Sequence, residues 1–153
     1  MTEKLEDIYN FLQLSDRITT AGQPTASQYP AIAVAGYQTI INLALTESAN
    51  ALVDEGAIAT SLGLEYIRIP VLWETPTLDN FEEFVRVMNQ RKDRQMFVHC
   101  AANKRVSAFM YLYHRIVDGL DEKTAQIDLA KIWIPSQFWQ SFIDRTLFNL
   151  SSS

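Results

Sequence analysis

Four short runs of apolar and β-branched residues recur along the chain, and a segment with helical spacing follows each of them. The runs are Arg17-Ile18-Thr19-Thr20, Thr39-Ile40-Ile41-Asn42-Leu43, Tyr66-Ile67-Arg68-Ile69-Pro70 and Met96-Phe97-Val98. Runs this short and this apolar read as strands buried on both faces. Parallel strands need crossover connections, so the alternation predicts βαβ units. The expected fold is α/β, a mainly parallel sheet of about four to five strands with helices covering both faces.

The helical segments carry their own punctuation. Thr25 is a candidate N-cap for a helix over Ser27 to Ala35, with Gly36 as its stop and Pro30 drawing its start toward Tyr29. Asn50 to Leu62 has helical spacing and ends at Gly63. Thr77 caps a helix whose apolar face is Phe81, Phe84, Val85 and Met88. Val106, Phe109, Met110 and Tyr113 mark another helix, beginning at or just after Arg105. Two more follow, near Glu122 to Ile132 and Gln137 to Leu147, with Pro135 between them and Trp133, Phe138, Trp139 and Phe142 expected in the core. Leu5 to Leu14 reads as a short leading helix with Ile8, Phe11 and Leu12 turned inward. At 153 residues with no repeat or linker, residues 1–150 form one expected domain and Ser151-Ser152-Ser153 a frayed tail.

Ligands of such a sheet bind beyond the carboxyl ends of its strands. The loop His99-Cys100-Ala101-Ala102-Asn103-Lys104-Arg105 lies at that edge, between the Met96 strand and the Val106 helix. It places the single cysteine of the chain at the mouth of a helix, where unpaired amides and the helix dipole favour an anion and a thiolate. One cysteine and two histidines without ligand spacing imply neither a disulfide nor a metal site. A net charge of −5 gives no reason to expect nucleic acid as a partner. The opening MTEKLEDIYNFLQL lacks a secretory pattern, and no apolar run reaches membrane-spanning length, so no membrane partner and a cytoplasmic setting are expected. No Gly-rich nucleotide signature or cofactor motif is present.

His99-Cys100 followed by four residues and Arg105 resembles the phosphate-binding loop of cysteine-dependent protein tyrosine phosphatases. Further segments widen the likeness: Thr20-Ala21-Gly22-Gln23-Pro24, Ala35-Gly36-Tyr37-Gln38-Thr39-Ile40-Ile41-Asn42-Leu43 and Leu62-Gly63-Leu64-Glu65-Tyr66-Ile67-Arg68-Ile69-Pro70. Together these resemble a bacterial family of dual-specificity-phosphatase-like domains, in some members fused to a metallo-β-lactamase-like hydrolase. The likeness runs from about Arg17 to about Tyr113. It implies a three-layer, phosphatase-like sandwich that hydrolyses a phosphomonoester through a phosphocysteine. The substrate it implies is a phosphorylated small molecule or a phosphoprotein.

By the same resemblance Cys100 is the nucleophile and Arg105 the bidentate clamp, with the backbone of Ala101, Ala102, Asn103, Lys104 and Arg105 cradling the phosphoryl oxygens. His99 orients the loop, and Asn42 braces it from a strand end or satisfies its own turn. The general acid is Glu74 in the loop Val71 to Pro76, with Asp79 as the alternative. Two departures stand out: four residues separate Cys100 from Arg105 where the usual phosphatase loop has five, and Val106 stands where Ser or Thr follows the Arg. Ser107 is the nearest substitute hydroxyl, about 100° round the helix. With no glycine in the loop, Asn103 is its candidate for a left-handed backbone.

Two other functions fit the loop. In a rhodanese-like sulfurtransferase Cys100 would carry a persulfide, although Ala101 and Asn103 match that loop poorly. In a non-catalytic oxyanion-binding or interaction module the cradle would bind without turnover.

Overall fold

The computed structural model describes residues 4–151. Its sheet has the order β1-β2-β5-β3-β4. The strands are β1 (Leu12–Gln13), β2 (Ile18–Ala21), β3 (Thr39–Asn42), β4 (Glu65–Arg68) and β5 (Met96–His99). Only β1, a two-residue edge, pairs antiparallel; β2, β5, β3 and β4 run parallel. This is the α/β fold that the alternation of runs predicts, a mainly parallel sheet with helices on both faces.

Side-chain alternation along the strands divides the core into two. Ile18, Ile41, Met96 and Val98 face one layer, which holds the buried faces of α3 (Leu78–Asn89), α4 (Lys104–Ile116), α5 (Glu122–Ile132) and α6 (Gln137–Ser151). Ala21, Ile40 and Phe97 face the other, where Tyr29 and Ile32 of α1 (Tyr29–Val34) and Ala59 of α2 (Glu55–Ser61) pack. The first layer is dominated by rings: Phe109 meets Phe81 and Phe84 edge-on and stacks on Phe142. Each such ring, fully buried, stabilises the fold by roughly 1.5–3 kcal/mol.

Helix starts follow the sequence closely. Thr25 and Thr77 each form a capping box, with Gln28 and Asn80 respectively. Pro30 sits in the first turn of α1, behind a 3-10 turn over Ala26–Gln28.

Three expectations are corrected. Leu5 to Leu14 is no helix: a 3-10 turn (Leu5–Asp7) precedes the buried Ile8, Asn10 turns the chain at φ 49°, and Leu12 opens β1. Pairing with Thr19 and Thr20 of β2 outweighs local helical spacing there. The helix after β3 begins at Glu55 and not near Asn50. Phe138 is 49% exposed, whereas Trp139 and Phe142 are buried as expected. α6 runs on through Ser151, and Ser152 and Ser153 lie outside the described residues. Among the described residues no helix is long and apolar enough to cross a membrane.

Register fixes the site. His99 lies level with Ala21 on one side and Asn42 on the other, and Asn42 lies level with Arg68. The carboxyl ends of four strands therefore form one row, with the cysteine one residue beyond its centre.

Candidate active site

Cys100 follows β5 directly and is 1% exposed. Its amide donates to Ala21 O at 3.3 Å, and the preceding His99 carbonyl accepts from Leu43 N at 2.9 Å. The loop carbonyls are then drawn outward. Ala101 O accepts from Gln23 N and from Asn50 Nδ2, both at 3.1 Å, and Ala102 O accepts from Asn10 Nδ2 at 3.0 Å. Gly22 permits this approach, since a Cβ there would sit 2.9 Å from Ala101 O and 2.6 Å from the Tyr9 ring.

Asn103 turns the loop into α4 with φ 65° and ψ 5°, the left-handed conformation expected of it. Its buried Nδ2 donates to Asn10 O at 2.9 Å and Thr20 Oγ1 at 3.0 Å. Among the described residues the amides of Ala101, Ala102, Lys104 and Arg105 make no hydrogen bond. Unpaired amides at a helix start form an anion-binding concavity.

The floor of this concavity is polar and sealed. His99, fully buried, brings Nδ1 within 3.2 Å of Cys100 O and Nε2 within 2.5 Å of Glu55 Oε2. Glu55, the first residue of α2, is 2% exposed. Its carboxylate also accepts from Tyr29 Oη, from Gln23 Nε2 at 3.0 Å and from Asn42 Nδ2 at 3.4 Å. Burial pushes the Glu55 carboxyl up, but the hydrogen bond and charge of His99, with bonds from Tyr29 and Gln23, outweigh it and hold the group below its ordinary value. Burial and the adjacent Glu55 push the Tyr29 phenol far up, so it stays a neutral donor.

Asn42 serves two ends. Its Nδ2 reaches Glu55 and Tyr66 Oη, while its Oδ1 accepts from Ala44 N at 2.9 Å, closing a local turn. It meets the cysteine loop through Glu55 and His99, with no direct side-chain bond to that loop among the described residues.

The opposite wall is aromatic. Arg105 is 6% exposed, and its Nη1 donates to Val71 O at 2.9 Å, at the root of the loop that carries Glu74. Ser107 donates to Lys104 O at 2.9 Å and accepts from Trp133 Nε1 at 3.0 Å. Its one proton is therefore directed at a backbone carbonyl and not at Cys100. Lys104 Nζ lies 5.6 Å from the Trp133 ring centre. Trp73 packs between Trp133 and Trp139, and Trp139 Nε1 donates to Trp73 O at 3.1 Å.

Glu74 is exposed and makes no hydrogen bond or ion pair among the described residues; Trp73, Ser136 and Phe138 share its cleft. Asp79 is exposed in the first turn of α3, where a carboxylate favours the helix start.

The structure thus unites His99 through Arg105 as one cradle, with Asn42 and Ser107 one bond removed and Glu74 on a neighbouring loop. Glu55 and Tyr29 carry no signal in the sequence, where an acid at a helix start and a tyrosine before proline are unremarkable. Trp133, expected in the core, is half-buried and holds Ser107.

A family model described as DSP-PTPase phosphatase fused to NAD+ kinase matches residues 4–136. The chain belongs to this family. Its fold is therefore that of a DSP-PTPase-like phosphatase domain. A Beta-lactamase hydrolase-like protein of Agrobacterium fabrum (strain C58 / ATCC 33970) is 25% identical over 123 residues, 78% of this chain and 28% of the relative. The chain thus spans less than a third of that relative's length.

A crystal structure of a DUF442 protein from Shewanella putrefaciens CN-32, assigned as a phosphatase, superposes with a TM-score of 0.84 at 30% identity, covering 95% of this chain and 96% of that one. A cysteine-to-serine variant of P. aeruginosa TpbA, in complex with pTyr, shares the fold at 12% identity with a TM-score of 0.73, covering 100% of this chain and 96% of its own.

Proposed function

We propose that this phosphatase-family domain hydrolyses a phosphomonoester through a phosphocysteine on Cys100. The observation that carries the proposal is the cradle: a cysteine at the carboxyl edge of a parallel sheet, ringed by unpaired amides and closed by Arg105. A phosphoryl group seated there meets the amides of Ala101, Ala102, Asn103, Lys104 and Arg105. It also meets the guanidinium N–H groups that Val71 O does not occupy.

The Cys100 thiolate attacks phosphorus, the bond to the leaving oxygen breaks, and that oxygen takes a proton from Glu74. Water then attacks the phosphocysteine and gives its proton to Glu74. The P–S bond breaks, and thiolate and inorganic phosphate are released. The exposure of Glu74 supports it as the acid that meets leaving groups and water, while Asp79 is spoken for by its helix. His99 orients the cradle from below. The reaction requires no metal or cofactor, and its substrate is a phosphorylated small molecule or a phosphoprotein in the cytoplasm.

Aryl phosphate hydrolysis by the intact chain tests this directly. Cys100→Ser is expected to abolish turnover, and Arg105→Ala to lower it by about 10²–10³, the loss typical when one oxyanion donor is removed. Phosphate release that survives Cys100→Ser would overturn the nucleophile. Thiosulfate–cyanide activity without phosphate release would move the protein to the sulfurtransferases. Phosphate binding lost in Arg105→Ala, with neither activity, would leave an oxyanion-binding module.

A further inference from the structure

Beneath the nucleophile lies a buried carboxylate that the chemistry above does not use. Glu55 is 2% exposed and His99 is fully buried, and they meet at 2.5 Å. Of the neighbours of the Glu55 oxygens, Gln23 Nε2 and Asn42 Nδ2 can only donate, whereas Tyr29 Oη and His99 Nε2 can donate or accept. Gln23 leaves its own buried Oε1 unpartnered in order to present Nε2 to Glu55 and Pro24 O. Burial raises the Glu55 carboxyl, but the bond and charge of His99 and the bonds from Tyr29 and Gln23 hold it below its ordinary value, and an ionised carboxylate accepts from all four neighbours.

His99 Nε2 must then carry a proton. The other ring nitrogen, Nδ1, faces the carbonyl oxygen of Cys100 at 3.2 Å, and a carbonyl only accepts. Both nitrogens therefore donate.

We infer that Glu55 is a positioning residue that keeps His99 as an imidazolium, whose Nδ1–H holds the Cys100 carbonyl and whose charge lies under the thiolate. This deepens the proposed phosphocysteine chemistry and rests on it for its purpose, though not for its geometry. The ion pair is neutral as a whole but oriented: its positive end faces the nucleophile and its negative end faces α2. The groups packed around the pair do not compete for the charge. Tyr29 from α1 and Tyr66 from β4 are held above their ordinary values, by burial first, and stay neutral. Gln23 and Asn42 do not titrate. Arg68, the cation of this row, is turned to Ala44 O and Tyr66 Oη.

Two readouts on the full chain test the inference without any phosphatase turnover, so its failure is separable from failure of the proposed reaction. In ¹⁵N NMR of the wild type, both His99 ring nitrogens are expected to stay protonated at pH 8, with His114, the other histidine, as an internal comparison. A neutral His99 ring at pH 7 would overturn the inference, whatever any variant does.

The second readout is the rate of Cys100 alkylation by iodoacetamide against pH. Glu55→Gln keeps the shape and removes the charge, and is expected to move the midpoint to higher pH by about one unit, the order for one nearby charge. Glu55→Asp, which keeps the charge, is expected to recover most of that shift. A folded Glu55→Gln with an unmoved midpoint would reduce Glu55 to a packing role.

Discussion

The two walls of the cradle are built on opposite principles. Under the loop, Glu55, His99, Tyr29, Gln23 and Asn42 form a dry network in which each side chain is fixed by at least one other. On the far side, Glu74 is exposed on a loop held through Val71 O to Arg105 and through Trp73 to Trp133 and Trp139. In the proposed chemistry the nucleophile must be in place before substrate arrives, and a buried network costs nothing further at that moment. In the proposed chemistry an acid must meet leaving groups of varied shape and then water, so an exposed position serves it. One wall is thus buried and hydrogen-bonded throughout, and the other is open to solvent.

Removing Glu55 attacks the rigid wall at its centre. Glu55→Ala strands His99 and three further donors, and is expected to cost about 3–5 kcal/mol of stability, read by urea unfolding. A loss under about 1 kcal/mol would show that the network is not a unit. Glu74→Gln attacks the exposed wall and should leave stability within about 0.5 kcal/mol. Its turnover on alkyl phosphates is expected to fall about a hundredfold, some 2.7 kcal/mol, with little change on nitrophenyl phosphate. Equal loss on both substrates would remove Glu74 from the acid's role, and Asp79→Asn should change neither.

Trp133→Phe keeps the ring stack but deletes the indole bond to Ser107, and is expected to cost about 0.5–1.5 kcal/mol in thermal unfolding. The smallest effect lies away from both walls. Bonds from Arg91 first, then Thr39 and the charges of Arg91 and Arg94, hold the Glu65 carboxyl at about 2. A carboxyl so depressed stabilises the fold above its ordinary 4.5 and loses that contribution as pH falls toward about 2. Arg91→Ala should therefore flatten acid unfolding between those limits, by under about 1 kcal/mol for a pair this exposed.

Local signals carried much of this fold. The parallel sheet could be read from four apolar runs, two helix starts from Thr25 and Thr77, and the left-handed turn of the cradle from Asn103 in a loop without glycine. Long-range choices could not be read. Leu12 and Gln13 become a strand because β2 offers an edge, and nothing nearby says so. Glu55 looks like a solvated acid opening a helix. Its burial depends on Gln23, Tyr29, Asn42 and His99, brought from four other segments. Ser107 reads as free for the thiolate in its local sequence, yet Trp133, distant along the chain, engages it.

The strand order has a kinetic consequence. β5 is bonded along both edges, to β2 and to β3, whereas β1 closes the sheet with two residues. Amide protons of Phe97, Val98 and His99 should therefore exchange with solvent only when the whole domain opens, while those of the β1 edge exchange through local fraying. Cys100 hangs directly from this doubly bonded strand. On heating, reactivity and structure should vanish in the same transition, with no folded but inert species accumulating ahead of it.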